Sequence, residues 1–187
     1  MKKRLWLFMF ICAVMASGCA TITAPSYSPD YSVLDSIKRQ KLSKLAIGSV
    51  EPKNPSDKVN SISLRGAALV SPSGSYAKYL EDALISDLAE ARILDQNSLS
   101  QLSLYLLNNN IDIAGFSSGY GTIEALFSIK RGAVTLFNKT ITAKTEFESS
   151  FAGAVALPKG QNEYPNLVRA LLKKLYTDKE FINVLQN

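Results

Sequence analysis

Histidine is absent from this 187-residue chain, and cysteine occurs only twice, as Cys12 and Cys19. Without imidazole the usual general base near neutral pH is missing, and Ser-His-Asp and Cys-His chemistry go with it. Zinc centres built on histidine are excluded for the same reason. Asp30, Asp35 and Asp57 lack the spacing of a calcium loop. Glu81-Asp82 reads as a solvated helix face. Gly119-Tyr120-Gly121 precedes a strand pattern, not a helix, and so makes no phosphate cradle. No basic face interleaved with aromatics suits nucleic acid. No internal repeat or low-complexity block occurs. The inventory points away from an enzyme and leads us to expect no cofactor, no metal centre and no catalytic residue.

Two short motifs could still carry a nucleophile. Gly115-Phe116-Ser117-Ser118-Gly119 matches G-x-S-x-G, but a nucleophile elbow needs a helix after it, and the following residues alternate as a strand. Ser75-Tyr76-Ala77-Lys78 matches S-x-x-K, yet S-D-N and K-T-G are missing. Ser75 at the head of an amphipathic run is the residue expected to cap a helix.

What the chain does have is a distinctive start. Lys2, Lys3 and Arg4 precede an apolar run from Leu5 to Met15, which is too short for the roughly 20 residues of a membrane span. Small residues then lead into cysteine, and Ala16-Ser17-Gly18-Cys19 resembles the bacterial lipobox. The resemblance implies cleavage before Cys19, acylation of that residue and export. Residues 1–18 are then a lipoprotein signal peptide, and Cys12 leaves with them. Removing Lys2, Lys3 and Arg4 from the 21 basic residues leaves 18 against 16 acidic, a net charge of +2 in place of +5. The basic excess belongs to the export signal and argues for no anionic partner. Residue 20 is Ala, not the Asp that commonly marks inner-membrane retention in lipoproteins. The resemblance therefore favours the periplasmic leaflet of the outer membrane.

Residues 19–43 are rich in Ser, Thr and Pro and read as a lipidated N-terminus and flexible tether, with a short helical turn around Tyr31 to Arg39. Such a tether would reach about 27 Å on average and about 80 Å fully extended. Residues 44–187 make a single periplasmic α/β domain held by its core rather than by disulfides. Leu45 to Val50 predicts a strand, and the alternation from Ile62 to Val70 predicts another. Apolar residues at three- and four-residue spacing from Tyr76 to Ala91 predict a helix. Leu99 to Leu107 reads two ways: Ser98 and Gln101 have the spacing of a helical capping box, while Leu102, Leu104 and Leu106 alternate as a strand. We favour the strand, with Asn108-Asn109-Asn110 and Ile111 to Ala114 as its turn and continuation. Ile123 to Ile129 and Val134 to Phe147 read as a hairpin about Arg131-Gly132, with a bulge near Phe137-Asn138. A helix follows with Pro165 in its first turn, then a short one opened by a Thr177/Glu180 capping box. The pattern predicts an α+β two-layer sandwich: a mainly antiparallel sheet of about four to five strands with two main helices on one face.

This layout, with the lipobox, the hairpin at Lys130-Arg131-Gly132 and the stretch ESSFAGAVALP, resembles the auxiliary lipoproteins of lipid-transporting ABC systems and related envelope-assembly lipoproteins. The resemblance implies a non-catalytic adaptor bound to the membrane through Cys19 and docked on an envelope complex such as an ABC- or MCE-type transporter. Related layouts occur in lipoproteins that activate peptidoglycan synthases, and a purely structural, oligomerising lipoprotein is a third reading. Three surfaces are candidates for a partner: a polar sheet face carrying Ser61, Ser63, Arg65, Thr140, Thr142 and Lys144; a free strand edge; and Phe116 with Tyr120 in the glycine-rich loop.

Overall fold

The computed structural model describes residues 20–186. Residues 1–18, expected to be a signal peptide, and Cys19 lie outside them. Four strands form the main sheet: β2 (Ala46–Glu51), β5 (Ser100–Asp112), β6 (Ser118–Arg131) and β7 (Val134–Glu148), in the order β2-β5-β6-β7. Only the β2–β5 pair is parallel. A smaller sheet orders β1 (Thr21–Thr23), β4 (Ala67–Val70) and β3 (Ile62–Leu64) as β1-β4-β3. Among the described residues, four α-helices pack with these sheets: α1 (Tyr31–Arg39), α2 (Tyr76–Glu90), α3 (Gly153–Tyr176) and α4 (Lys179–Gln186). The architecture is the expected α+β sandwich, extended by the second sheet.

Alternation places Leu102, Leu104, Leu106, Ile123, Ala125, Phe127 and Ile129 on the inner face of the main sheet. Leu167, Val168, Leu171, Leu172 and Leu175 of α3 close over that face. Gly160 lets α3 approach, because a Cβ there would stand 2.7 Å from Ile113 Cγ2 and 3.3 Å from Leu64 Cδ1. Tyr76, Tyr79 and Tyr164 join α2 to α3 in a buried cluster, with the Tyr76 and Tyr164 rings 4.5 Å apart.

The segment expected to be a tether is part of the fold. β1 pairs with β4 in parallel, and Val33, Leu34, Ile37 and Leu42 are buried in the core. Burying each such side chain is worth about 1.5–3 kcal/mol, which offsets the ordering of a Pro-containing stretch. Polar contacts complete the attachment. Tyr79 Oη donates to Pro25 O at 2.8 Å, and Arg169 donates to Ser28 O at 3.0 Å. Gln161 Nε2 donates to Thr23 O at 2.6 Å. Tyr27 Oη donates to Asp87 Oδ2 at 2.8 Å.

Other boundaries also move. The run from Ile62 to Val70 is two strands joined by a two-residue turn, in which Arg65 (φ 49°) and Gly66 (φ 87°) are both left-handed. β5 continues through Asn108-Asn109-Asn110 because a register shift between Leu106 and Asn108 keeps Ile111 facing inward. The β6–β7 shift lies between Ile129 and Lys130 and leaves Leu136 as the extra residue, one position from the expected bulge. α3 begins at Gly153, so Pro158 and Pro165 both lie inside it and the carbonyls of Ala154 and Gln161 lose their helical donors. The cap of α4 is Asp178, which accepts from Glu180 N at 3.0 Å and Phe181 N at 3.2 Å. Thr177 instead donates back to Lys173 O.

Candidate functional site

β5 and β7 run toward one end of the main sheet, where the loops 113–117 and 149–152 lie side by side, tied by Ser149 N donating to Ser117 O at 2.7 Å. The guanidinium of Arg65 spans both loops. Its Nε and Nη2 donate to Ile113 O at 3.1 and 2.7 Å, Nη1 to Phe151 O at 2.5 Å, and Nη2 to Ser150 O at 3.0 Å and Gly115 O at 3.4 Å. The left-handed backbone at Arg65, unfavourable for a side chain of this size, is held by these bonds and by the tight turn. On this scaffold Phe116 (79% exposed) stacks on Phe151 (70% exposed), with ring centroids 5.4 Å apart and planes 15° apart.

Phe116 therefore has the exposed loop position expected of it. Its partner is Phe151, a residue the sequence reading had not singled out. Tyr120 is not in the loop: it lies in β6, opposite Asp112 and Glu146, and its hydroxyl donates to Glu146 Oε1 at 3.4 Å. Cys19 is outside the described residues, but the next residue is fixed: Ala68 N donates to Ala20 O at 2.8 Å. Ala68 is three residues from Arg65, and β1 runs parallel to β4 away from this end. Ala20 thus lies at the same end as the two loops.

No helix among the described residues covers the outer face of the main sheet. Thr140, Thr142 and Lys144 occur on it as expected, whereas Ser61, Ser63 and Arg65 belong to the β3–β4 hairpin and its approach. Tyr105, Leu126 and Thr140 stand opposite one another across three strands, and Tyr105 and the bulged Leu107 are exposed. Ser103, Ser128, Glu124 and Thr142 surround them, and Thr142 Oγ1 donates to Glu124 Oε2 at 2.8 Å. β7 forms one free edge of this sheet along its 15 residues. A polar groove of about 600 Å³, lined by Ser61, Ser63, Asn108, Asn110 and Thr122, separates β3 from β5.

Both nucleophile motifs have structural duties. The loop of G-x-S-x-G opens into strand β6, so no helix dipole or elbow turn supports Ser117. Ser75 Oγ accepts from Lys78 N at 3.1 Å as the cap of α2, while Lys78 Nζ pairs with Asp82 at 2.7 Å and Glu81 at 3.3 Å. The one strongly displaced carboxyl is Asp87, 2% exposed, which burial pushes up to about 6 against the lowering effect of the Tyr27 and Tyr176 hydroxyls. Its partners are structural tyrosines, and it joins the N-terminal segment to α2.

No protein-family model and no curated protein matches the chain. Among solved structures it is similar to a Xanthomonas campestris protein of the DUF330 family, at 13% identity and a TM-score of 0.53, covering 84% of this chain and 95% of that one. A candidate lipoprotein from Caulobacter crescentus gives 11% identity and a TM-score of 0.46, over 83% and 96% of the two chains. The first comparison shows a shared fold.

Proposed function

We propose that this chain is a lipid-anchored lipoprotein of the bacterial envelope, held in the periplasmic leaflet of the outer membrane. There it acts as a non-catalytic adaptor in a lipid-transport or assembly complex. The anchor is supported by Ala16-Ser17-Gly18-Cys19 and by the surface position of Ala20. The observation that carries the adaptor is the uncovered sheet face, where Tyr105, Leu107 and Leu126 form an apolar centre within a polar ring. That is the anatomy of a docking patch, with a desolvated centre and a wet rim.

Palmitate labelling tests the anchor: wild type takes the label and Cys19→Ser does not. A wild type that stays unlabelled overturns it. For the adaptor, a photo-crosslinking residue at Tyr105 or Leu126 is expected to capture a subunit of an ABC- or MCE-type envelope complex, and deletion to raise detergent sensitivity. Stimulation of glycan polymerisation by the purified lipoprotein, without such capture, would replace this reading with that of a synthase activator.

A further inference from the structure

The end of the sheet that carries Phe116 and Phe151 is poor in charge. Residues 113–123 and 149–158 contain no Asp, Glu, Lys or Arg, in a chain where 20% of residues are charged. The exposed positions there are mostly apolar, with Phe116, Phe151, Ala152, Ala154, Val155 and Pro158 among them and Ser117 and Tyr120 carrying the exposed hydroxyls. Arg65, the cation among them, spends its donors on four backbone carbonyls. Asp112 accepts from Ala114 N at 2.8 Å, and Glu148 pairs with Lys159 at 2.9 Å at the flank. A stacked aromatic pair flanked by small apolar residues is thus presented to the outside, with four of the loop carbonyls held by Arg65.

The position of Ala20 points to what covers it. Ala20 is bonded to Ala68 at this same end, and one peptide unit, about 3.8 Å between Cα atoms, separates it from Cys19. If Cys19 carries acyl chains, as proposed above, the leaflet that holds them lies directly against these loops. We infer that the Phe116–Phe151 tip, with Val155, is a membrane-contacting surface that sinks into the boundary between headgroups and acyl chains beside the Cys19 anchor. Shallow insertion of uncharged aromatic and aliphatic groups is the pattern of interfacial membrane contacts. Two attachment points, one covalent and one packed, fix the tilt of the domain as well as its distance from the membrane.

The sole tryptophan, Trp6, lies in the segment expected to be cleaved, so single-tryptophan variants report without background. Lipidated Phe116→Trp, Phe151→Trp and Leu99→Trp proteins are reconstituted into phosphatidylethanolamine/phosphatidylglycerol vesicles with and without brominated acyl chains. All three substitutions are at exposed positions, and circular dichroism checks their folding. Brominated lipid should quench the first two several-fold more than Leu99→Trp, which lies at the opposite end. Equal, weak quenching in protein that floats with the vesicles would overturn the membrane contact and leave the anchor standing; the tip would then face water or a protein. Protein that fails to float would overturn the anchor, and the inference resting on it.

Discussion

Phe116 at one end of the main sheet and Leu99 at the other are equally exposed, at 79% each. Their surroundings differ. Phe116 stacks on a second aromatic, its loop is pinned by a guanidinium, and Ala20 lies at the same end. Leu99 borders the β6–β7 hairpin, where Val134 is also exposed but Lys130 and Arg131 supply charge and no ring stacks. The guanidinium at that end, Arg131, donates from Nε to Ser100 Oγ at 3.0 Å and bridges no pair of loops. Isolated exposed aliphatics are ordinary on protein surfaces. What separates the two ends is organisation: five guanidinium contacts span the loops of one tip, and among the described residues no guanidinium does so at the other.

That contrast can be broken or sharpened by substitution. The largest effect is expected at Gly160, which sets how closely α3 approaches the pinned loops. Gly160→Val should cost about 3 kcal/mol by overpacking against Ile113 and Leu64, read as a shift in the urea midpoint. Arg65→Ala should follow at about 2 kcal/mol, a fall of about 4–8 °C in Tm, with faster proteolysis confined to loops 113–117 and 149–152. An unchanged cleavage rate there would show that the loops hold themselves.

Next comes the attachment of the N-terminal segment. Asp87 has its folded-state pKa raised to about 6 from 3.8, so the folded state binds the proton more tightly than the unfolded one. The stability this gives is present below about pH 4 and is lost as pH rises to 6 and beyond. Asp87→Asn keeps an acceptor for Tyr27 and never ionises. It should be the more stable protein at pH 7.5, by about 2 kcal/mol, and the difference should shrink toward zero by pH 4. A variant less stable than wild type at pH 7.5 would mean that the charged carboxylate is the favoured partner. The smallest effect is expected at the far end, where Arg131→Ala should move stability by less than about 0.5 kcal/mol.

The sandwich was legible because its long elements are strongly periodic. Leu102 to Leu106 and Ile123 to Ile129 alternate without interruption, and the Tyr76–Ala91 stripe has a clean cap at Ser75. What misled was local composition. Thr21–Thr23 is too short to show a period, and its pairing with β4 is a tertiary fact. The spacing of Val33, Leu34 and Ile37 behind Asp30 did carry a helix signal, and α1 has the bounds expected of that helical turn. At Arg65-Gly66 a left-handed pair reverses the chain, so the buried positions change from Ile62 and Leu64 to Ala67 and Leu69. Of the candidate site, Phe116 was readable as an aromatic in a glycine-rich loop. Phe151 was not, because 35 residues separate the two and only the sheet brings them together.

The β6–β7 hairpin also has a length. At about 3.3 Å per residue, the 15 residues of β7 extend at most about 50 Å from the pinned loops to the Arg131–Val134 turn. If the Cys19 anchor proposed above holds, a domain joined to it without slack makes that span a ruler: the turn would stand at one altitude above the leaflet, and a partner would meet it at a height set by strand length rather than by the wandering of a linker.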